Sequence, residues 1–302
     1  MAFLLELVPA LLVGLGLARR WPHLSTRLAP LLVHWGVPFS VMGLLLRTGV
    51  DARFLDVLLI TLVAVASTLL LVRGLPALRR RLPGPVEQWG AVVGNTAYFG
   101  IPAALALLPP EAVAYSVSYD LAATLFTWSL GPLLFTGQRA APRALLLGLA
   151  GSPALRGVGA ALLVQLTPWR ETLAGALWWP ARLVLLLSLL VVGMRMGGAL
   201  GEPLPRRLWW PLGIKLLIFP AGMLLLTSLL ALPALVRAAL VLQAATPTAV
   251  SVLLLAEVRP LQAAVPEAGV GHADGEQAAS LVLWSTLLGL ATVPVWARLL
   301  MA

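Results

Sequence analysis

Apolar stretches of membrane-crossing length recur along the whole chain, at roughly 2–18, 28–46, 54–72, 89–108, 112–135, 144–166, 173–194, 208–231, 236–256 and 276–297. A helix of about 20 residues spans the ~30 Å hydrocarbon core of a bilayer, so this pattern predicts an all-α polytopic membrane protein of ten spans. A soluble fold does not fit, because only 11% of the residues are charged against about 25% in soluble domains. Spans and connections account for nearly all 302 residues, which leaves no stretch for an attached catalytic or nucleotide-binding domain. The first run has no basic residues before it, contains Glu6 and is followed by Arg19 and Arg20. It reads as a retained helix rather than a signal peptide.

The basic residues set the expected orientation. Thirteen of the 21 Lys and Arg fall in odd-numbered connections, for instance Arg73, Arg79, Arg80 and Arg81 in the third, while five fall in even connections or at the termini. Cytoplasmic connections retain positive charge during insertion. Both termini are therefore expected on the non-cytoplasmic face of a plasma membrane, the inner membrane of a bacterium. Arg156, Arg182 and Lys215 remain inside apolar runs.

Several classes of function are disfavoured. The net charge of +9 comes from arginines between apolar runs, with no basic stripe carrying interleaved aromatics, so no nucleic-acid partner is expected. The chain has no cysteine, which excludes disulfides and thiolate metal sites. It lacks a GxxxxGK[ST] loop and an HExxH motif, and His23, His34 and His272 are scattered. Asp120 is the one acid deep in a run, which is too little for an acid–base pair or a sodium/proton exchange site. No enzymatic activity, cofactor or metal is expected.

Five runs lie on each side of the basic connection GQRAAPRA, residues 137–144. An odd number of spans per half means that two related halves, about 1–138 and 142–302 of one transmembrane domain, would be inserted upside down relative to each other. The fourth run carries Pro102 after Asn95, and the ninth carries Pro247 after Gln243. A proline removes an N–H and clashes with the preceding turn. In hydrocarbon such a break is tolerated where protein or water satisfies the freed groups. Paired breaks in corresponding spans point to a transporter site, although Pro38, Pro180, Pro220 and Pro294 show that prolines in runs are common here.

The stretch GNTAYFGIP, Gly94–Pro102, resembles the fourth-helix signature of the auxin efflux carrier family, with Ala97 where a glycine is usual. AATPTAVSVLLLAE, Ala244–Glu257, resembles the family's ninth-helix segment, and HADGEQAASLVLWSTLLGLATVPVW, His272–Trp296, is similar to its entry into the last helix; VRPLQAAVPEAGVG, between them, is longer than usual. The resemblance implies two inverted five-helix repeats, with helices four and nine broken and crossing at the midplane, as in bile-acid symporters and sodium/proton antiporters. It implies transport of small organic anions such as auxin-like or malate-like carboxylates, with no cofactor. The open alternative is a non-transporting sensor or assembly protein of the same fold.

The N-terminus of a half-helix aims free N–H groups and about half a positive charge into the membrane, which suits a carboxylate. The expected substrate-binding set is Asn95, Thr96, Tyr98, Pro102, Asp120, Gln243, Thr246, Pro247 and Thr248. The threonines serve equally well as helix-to-helix contacts. Asp120 either orders the site, taking a proton or cation, or pairs with a buried donor. Lys215 is either a charge partner for the substrate or a lysine that snorkels to the interface. The expected partners are an organic anion and membrane lipid, with a homodimer left open. Compartment reporters fused after Arg81 and at Ala302 are expected to read opposite sides of the membrane; two cytoplasmic readings would refute the span count.

Overall fold

The computed structural model describes residues 2–21, 23–136, 153–197, 203–262 and 270–301. The 137–144 connection and residues 263–269 of the long segment before the last run lie outside the described residues. The helices are α1 (Ala2–Arg20), α2 (Leu24–Thr48), α3 (Arg53–Gly74), α4 (Pro76–Arg81), α5 (Pro85–Gly90), α6 (Thr96–Leu107), α7 (Ala112–Thr136), α8 (Pro153–Gln165), α9 (Arg170–Gly197), α10 (Arg206–Leu229), α11 (Ala234–Ala244), α12 (Ser251–Gln262) and α13 (Val270–Met301). Among the described residues no strand forms, and one isolated bridge joins Gly94 to Thr248.

Among the described residues five helices are long and apolar enough to cross a membrane: α2, α3, α10, residues Arg170–Met194 of α9 and Asp274–Met301 of α13. These point to an integral membrane protein. The outer face of α3 agrees, since Leu55, Leu59, Val63 and Leu70 are all exposed along one side of the helix, as suits lipid and not water. Helix α7 is just as long at 25 residues, but Ser116, Ser118, Asp120, Thr124 and Thr127 dilute its apolar character. Their reason is internal: Asp120, Thr124 and Thr127 wall the cavity described below, while Ser116 and Ser118 hydrogen-bond Ala112 O and Phe54 O. The described part of the sixth apolar run begins at Pro153, and its first residues, 144–152, lie outside the described set.

The fourth and ninth runs are each divided. Helix α5 stops at Gly90 and α6 starts at Thr96; α11 stops at Ala244 and α12 starts at Ser251. Pro247 lies inside its interruption, but Pro102 does not: it sits within α6, several residues past the break at 91–95. What Pro102 accompanies is a widened turn. Residues Thr96–Gly100 form a π turn in which the Ile101 N–H reaches back to Thr96 O. The same arrangement recurs at Leu32–Gly36 before Pro38 and at Ile214–Ile218 before Pro220. In each case the proline lies two residues beyond the π turn. A proline has no N–H for the carbonyl four residues back and its ring presses on that carbonyl; widening the preceding turn relieves both without ending the helix.

The buried side chains form three apolar patches, and the residues flanking the first break contribute to each: Val93 to one, Phe99 to the second and Ile101 to the third. Trp89 stacks on Phe126 at 5.4 Å beside it. Helices α1 and α9 pack with their backbones almost in contact. A Cβ at Gly14 would lie 2.1 Å from Leu190 O, and one at Gly193 would lie 2.2 Å from Leu11 O, whereas a Cβ at Gly16 would meet open space. Small residues allow this approach in lipid, where no hydrophobic force drives helices together. Gly14→Ala is expected to destabilise the detergent-solubilised protein by about 1–3 kcal/mol through overpacking against backbone that cannot yield. Gly16→Ala should leave the unfolding temperature unchanged or raised; equal effects of the two would contradict the close contact.

Candidate functional site

The two interruptions lie side by side and complete each other's hydrogen bonding. The Asn95 N–H donates to Pro247 O at 2.7 Å, and the Ala249 N–H donates to Val93 O at 3.0 Å. Thr248 Oγ1 donates to Gly90 O at 2.8 Å, so a side chain from the second break serves the carbonyl on which α5 ends. The Thr248 N–H is taken by Ser285 Oγ of α13 at 3.0 Å. The segments approach so closely that a Cβ at Gly94 would lie 2.3 Å from Thr246 Oγ1. A larger residue at position 94 would have to displace the Thr246 hydroxyl and crowd Lys215.

Lys215 closes the end of α11. Its Nζ donates to Ala244 O at 2.6 Å and lies 5.1 Å from the centre of the Phe219 ring. The side chain is fully buried, so Lys215 does not snorkel. Two amides near the breaks have unused capacity. Asn95 accepts the Tyr98 N–H through Oδ1 at 3.3 Å, capping α6, while its Nδ2 has no partner. Both side-chain polar atoms of Gln243 are buried without a partner.

A cavity of about 220 Å³ lies against the first break. Asn95, Thr96 and Tyr98 form one wall at the start of α6, and Asp120, Thr124 and Thr127 of α7 form another. Ser188 of α9 and Ser251 at the start of α12 add hydroxyls, and the remainder is mainly apolar, including Leu32, Val37, Trp128 and Leu254. Among the described residues no Lys, Arg or His lines it. Asp120 Oδ1 accepts from Thr96 Oγ1 at 2.6 Å, which sets the carboxyl beside the positive N-terminal end of α6. The lining residues of α2, α8, α9 and α12 lie toward odd-numbered connections, while Thr96–Tyr98 stand at the break itself and Asp120 near the middle of α7.

Asn95, Thr96, Tyr98 and Asp120 of the expected set thus meet at one cavity. Gln243, Thr246, Pro247, Thr248 and Pro102 do not line it. Thr248 Oγ1 joins the two breaks through Gly90 O, whereas Thr246 Oγ1 donates to Gln243 O at 2.7 Å within its own segment and its side chain packs beside Gly94 and Gly100. Gln243 packs on the other side of α6, where a Cβ at Gly100 would lie 2.0 Å from its Oε1. Asn95 and Gln243 therefore do not address one ligand here. Arg156 reaches from α8 to His34 O at 3.1 Å, and Arg182 lies over the Trp178 and Trp179 rings.

Sequence reasoning missed Thr124, Thr127, Ser188 and Ser251, which are ordinary residues in apolar helices and acquire meaning through the cavity. The spacing of Asp120, Thr124 and Thr127, with Ser116 a turn before, is a polar stripe that could have marked the inner face of α7. A second buried acid also emerged. Glu87, at the start of the fourth run, accepts the Gly84 N–H at 3.1 Å and a hydrogen bond from Gln277 Nε2. That arrangement caps α5 and ties it to α13.

No family model matches the chain, and no curated protein matches it. The site is read from its geometry. Thr248→Val keeps the shape but leaves Gly90 O unserved in the membrane interior, at an expected cost of about 1–3 kcal/mol. Thr124→Val, at the cavity wall, should cost little; comparison of the two unfolding temperatures in detergent checks the role of the Thr248 hydroxyl.

Proposed function

We propose that the protein is a secondary permease for small organic anions, working by alternating access around the two paired helix breaks. The observation that carries this reading is the meeting of the breaks beside a cavity lined by the start of α6 and by Asn95, whose amide nitrogen has no partner. A carboxylate placed there would receive the Asn95 Nδ2 hydrogens and the favourable field of the α6 N-terminus. The mainly apolar remainder of the wall suits the body of an organic acid.

The wider architecture in this reading is two inverted repeats of five helices, with the fourth and ninth broken and crossed, as the auxin efflux carrier resemblance implies. Several features support it. The breaks occupy the fourth and ninth apolar runs, and each joins a half-helix on either side. Two cation–aromatic pairs join ends that the charge pattern assigns to the same side: Arg81 lies 4.8 Å from the Trp210 ring, and Arg47 lies 4.2 Å from the Trp178 ring. With both termini outside the cytoplasm, the cavity belongs to the cytoplasmic half, where most of the arginines would gather organic anions.

Asp120 has a defined part in this scheme. Its carboxyl shares the cavity with the substrate's, and two carboxylates in one site oppose each other's ionisation. Substitution by Asn retains an acceptor for Thr96 and removes the charge. Proteoliposomes containing the purified protein are expected to take up a labelled organic acid from a panel of mono- and dicarboxylates. Asn95→Ala should lower uptake by about tenfold or more, the loss of a charge-assisted hydrogen bond being worth about 1.5–3 kcal/mol. Asp120→Asn should change turnover with little effect on folding. A protein that is stabilised by an acid but moves none of the panel would refute the permease reading, and normal uptake by Asp120→Asn would leave that residue a structural role alone.

A further inference from the structure

The permease site makes no use of Lys215, although this lysine is the most costly side chain near it. A charge at the centre of a span costs about 2.5–3.5 kcal/mol even on insertion scales. Among the described residues no carboxylate pairs with Lys215, and Asp120 is held by Thr96 at the cavity. The ammonium reaches neither water nor the lipid interface, since the residue is fully buried.

Its surroundings define what it does. The π turn Ile214–Ile218 contains Lys215, and Trp296 Nε1 donates to Leu216 O of that turn at 2.9 Å. Nζ is directed at the carbonyl end of α11, where the helix dipole leaves about half a negative charge, and hydrogen-bonds Ala244 O at 2.6 Å. A Cβ at Gly94 would lie 3.1 Å from Nζ, so the ammonium lies beside the first break as well, in the space a side chain at Gly94 would need. Gly94 in turn lines the cavity. One extended stretch of main chain therefore separates the charge of Lys215 from any anion held there.

The carbonyl ends of half-helices at a membrane break are the places where transporters coordinate a coupling cation. A lysine ammonium has the same charge as a monovalent ion, three donors and a compact head. We propose that Lys215 is a built-in cation: its ammonium occupies the carbonyl end of the second break in place of a dissolved monovalent ion, so that the breaks stay paired, and an anion is held beside them, without sodium. The part concerning the anion rests on the permease reading; the occupancy of the carbonyl end does not.

The test uses thermal unfolding of the purified full-length protein in detergent, with sodium, potassium or methylammonium chloride compared at equal ionic strength with N-methylglucamine chloride. A ligand bound only by the folded state raises the unfolding temperature. The wild type is expected to be indifferent to all three small cations. Lys215→Ala should unfold about 4 °C or more lower, a shift of the size that 1–2 kcal/mol produces in a chain of this order, and methylammonium, which replaces the missing head, should restore part of the loss. Lys215→Met fills the space with an uncharged stem and should be destabilised without responding.

Specific stabilisation of the wild type by sodium would overturn the proposal, because the place would then be open to an ion. So would a Lys215→Ala protein of unchanged stability, or one that methylammonium does not restore. If Lys215→Ala cannot be purified folded, the wild-type comparison decides alone, with stabilisation by sodium against the proposal and indifference for it. Since the readout is stability, a wild type that transports nothing would remove the permease reading and leave this assignment in place. A wild type that transports and is stabilised by sodium would do the reverse.

Discussion

A helix that stops inside hydrocarbon exposes carbonyls at one end and N–H groups at the other, with no water to receive them. The structure meets that constraint by bringing two interruptions together. Val93 O and the Asn95 N–H of the first break pair with the Ala249 N–H and Pro247 O of the second, in a bridge that has no place in an otherwise helical chain. The two remaining carbonyl ends are served by side chains, Gly90 O by Thr248 and Ala244 O by Lys215. Neither break is tenable without the other, so the helices that carry them, together with α10 and α13 that supply Lys215 and Ser285, are positioned as a unit.

The pairing also fixes where room for a ligand can exist. Main chain at Gly94 lies against Thr246 and Lys215 on one side and faces the cavity on the other. The cavity side carries a carboxyl, hydroxyls and an amide; the opposite side carries an ammonium with no carboxylate near it among the described residues. This division explains why a span as polar as α7 and a lysine in the middle of α10 coexist within one apolar chain. Each polar group is adjacent to the break, where it either receives backbone groups or leaves a donor free, and the outward faces of the same helices remain hydrocarbon.

The helical class and the ninth-run break were legible because apolar run length and a mid-run proline report directly on membrane crossing and on a lost N–H. The fourth-run break was legible only in part. Pro102 pointed to the correct run, but its physical effect is the π turn before it, as at Pro38 and Pro220, while the chain actually parts at 91–95, with Gly94 where the second break approaches. Asn95, Thr96, Tyr98 and Asp120 were found because polar residues in apolar runs need a reason. Gln243 and the two threonines of the ninth run were found for the same reason but have a different one, since periodicity does not say which side of a break a side chain will face. The fate of Lys215 was likewise invisible: snorkelling and burial differ by which carbonyl lies within reach, and that carbonyl is 29 residues away.

The two uncommitted amides distinguish the sides of the paired breaks. Asn95 lines the cavity, and its Nδ2 is buried without a partner. Gln243 is enclosed between α11 and α6, both of which run from the breaks toward even-numbered connections, and its amide has no partner on either atom. Buried polar groups left unpaired cost about 1–3 kcal/mol, so each of the two amides carries a standing penalty. On the permease reading, separation of α11 from α6 would relieve the penalty at Gln243 by admitting water, and a bound carboxylate would relieve the one at Asn95. A polar group whose satisfaction depends on water entry or on substrate thus stands on each side of the paired breaks.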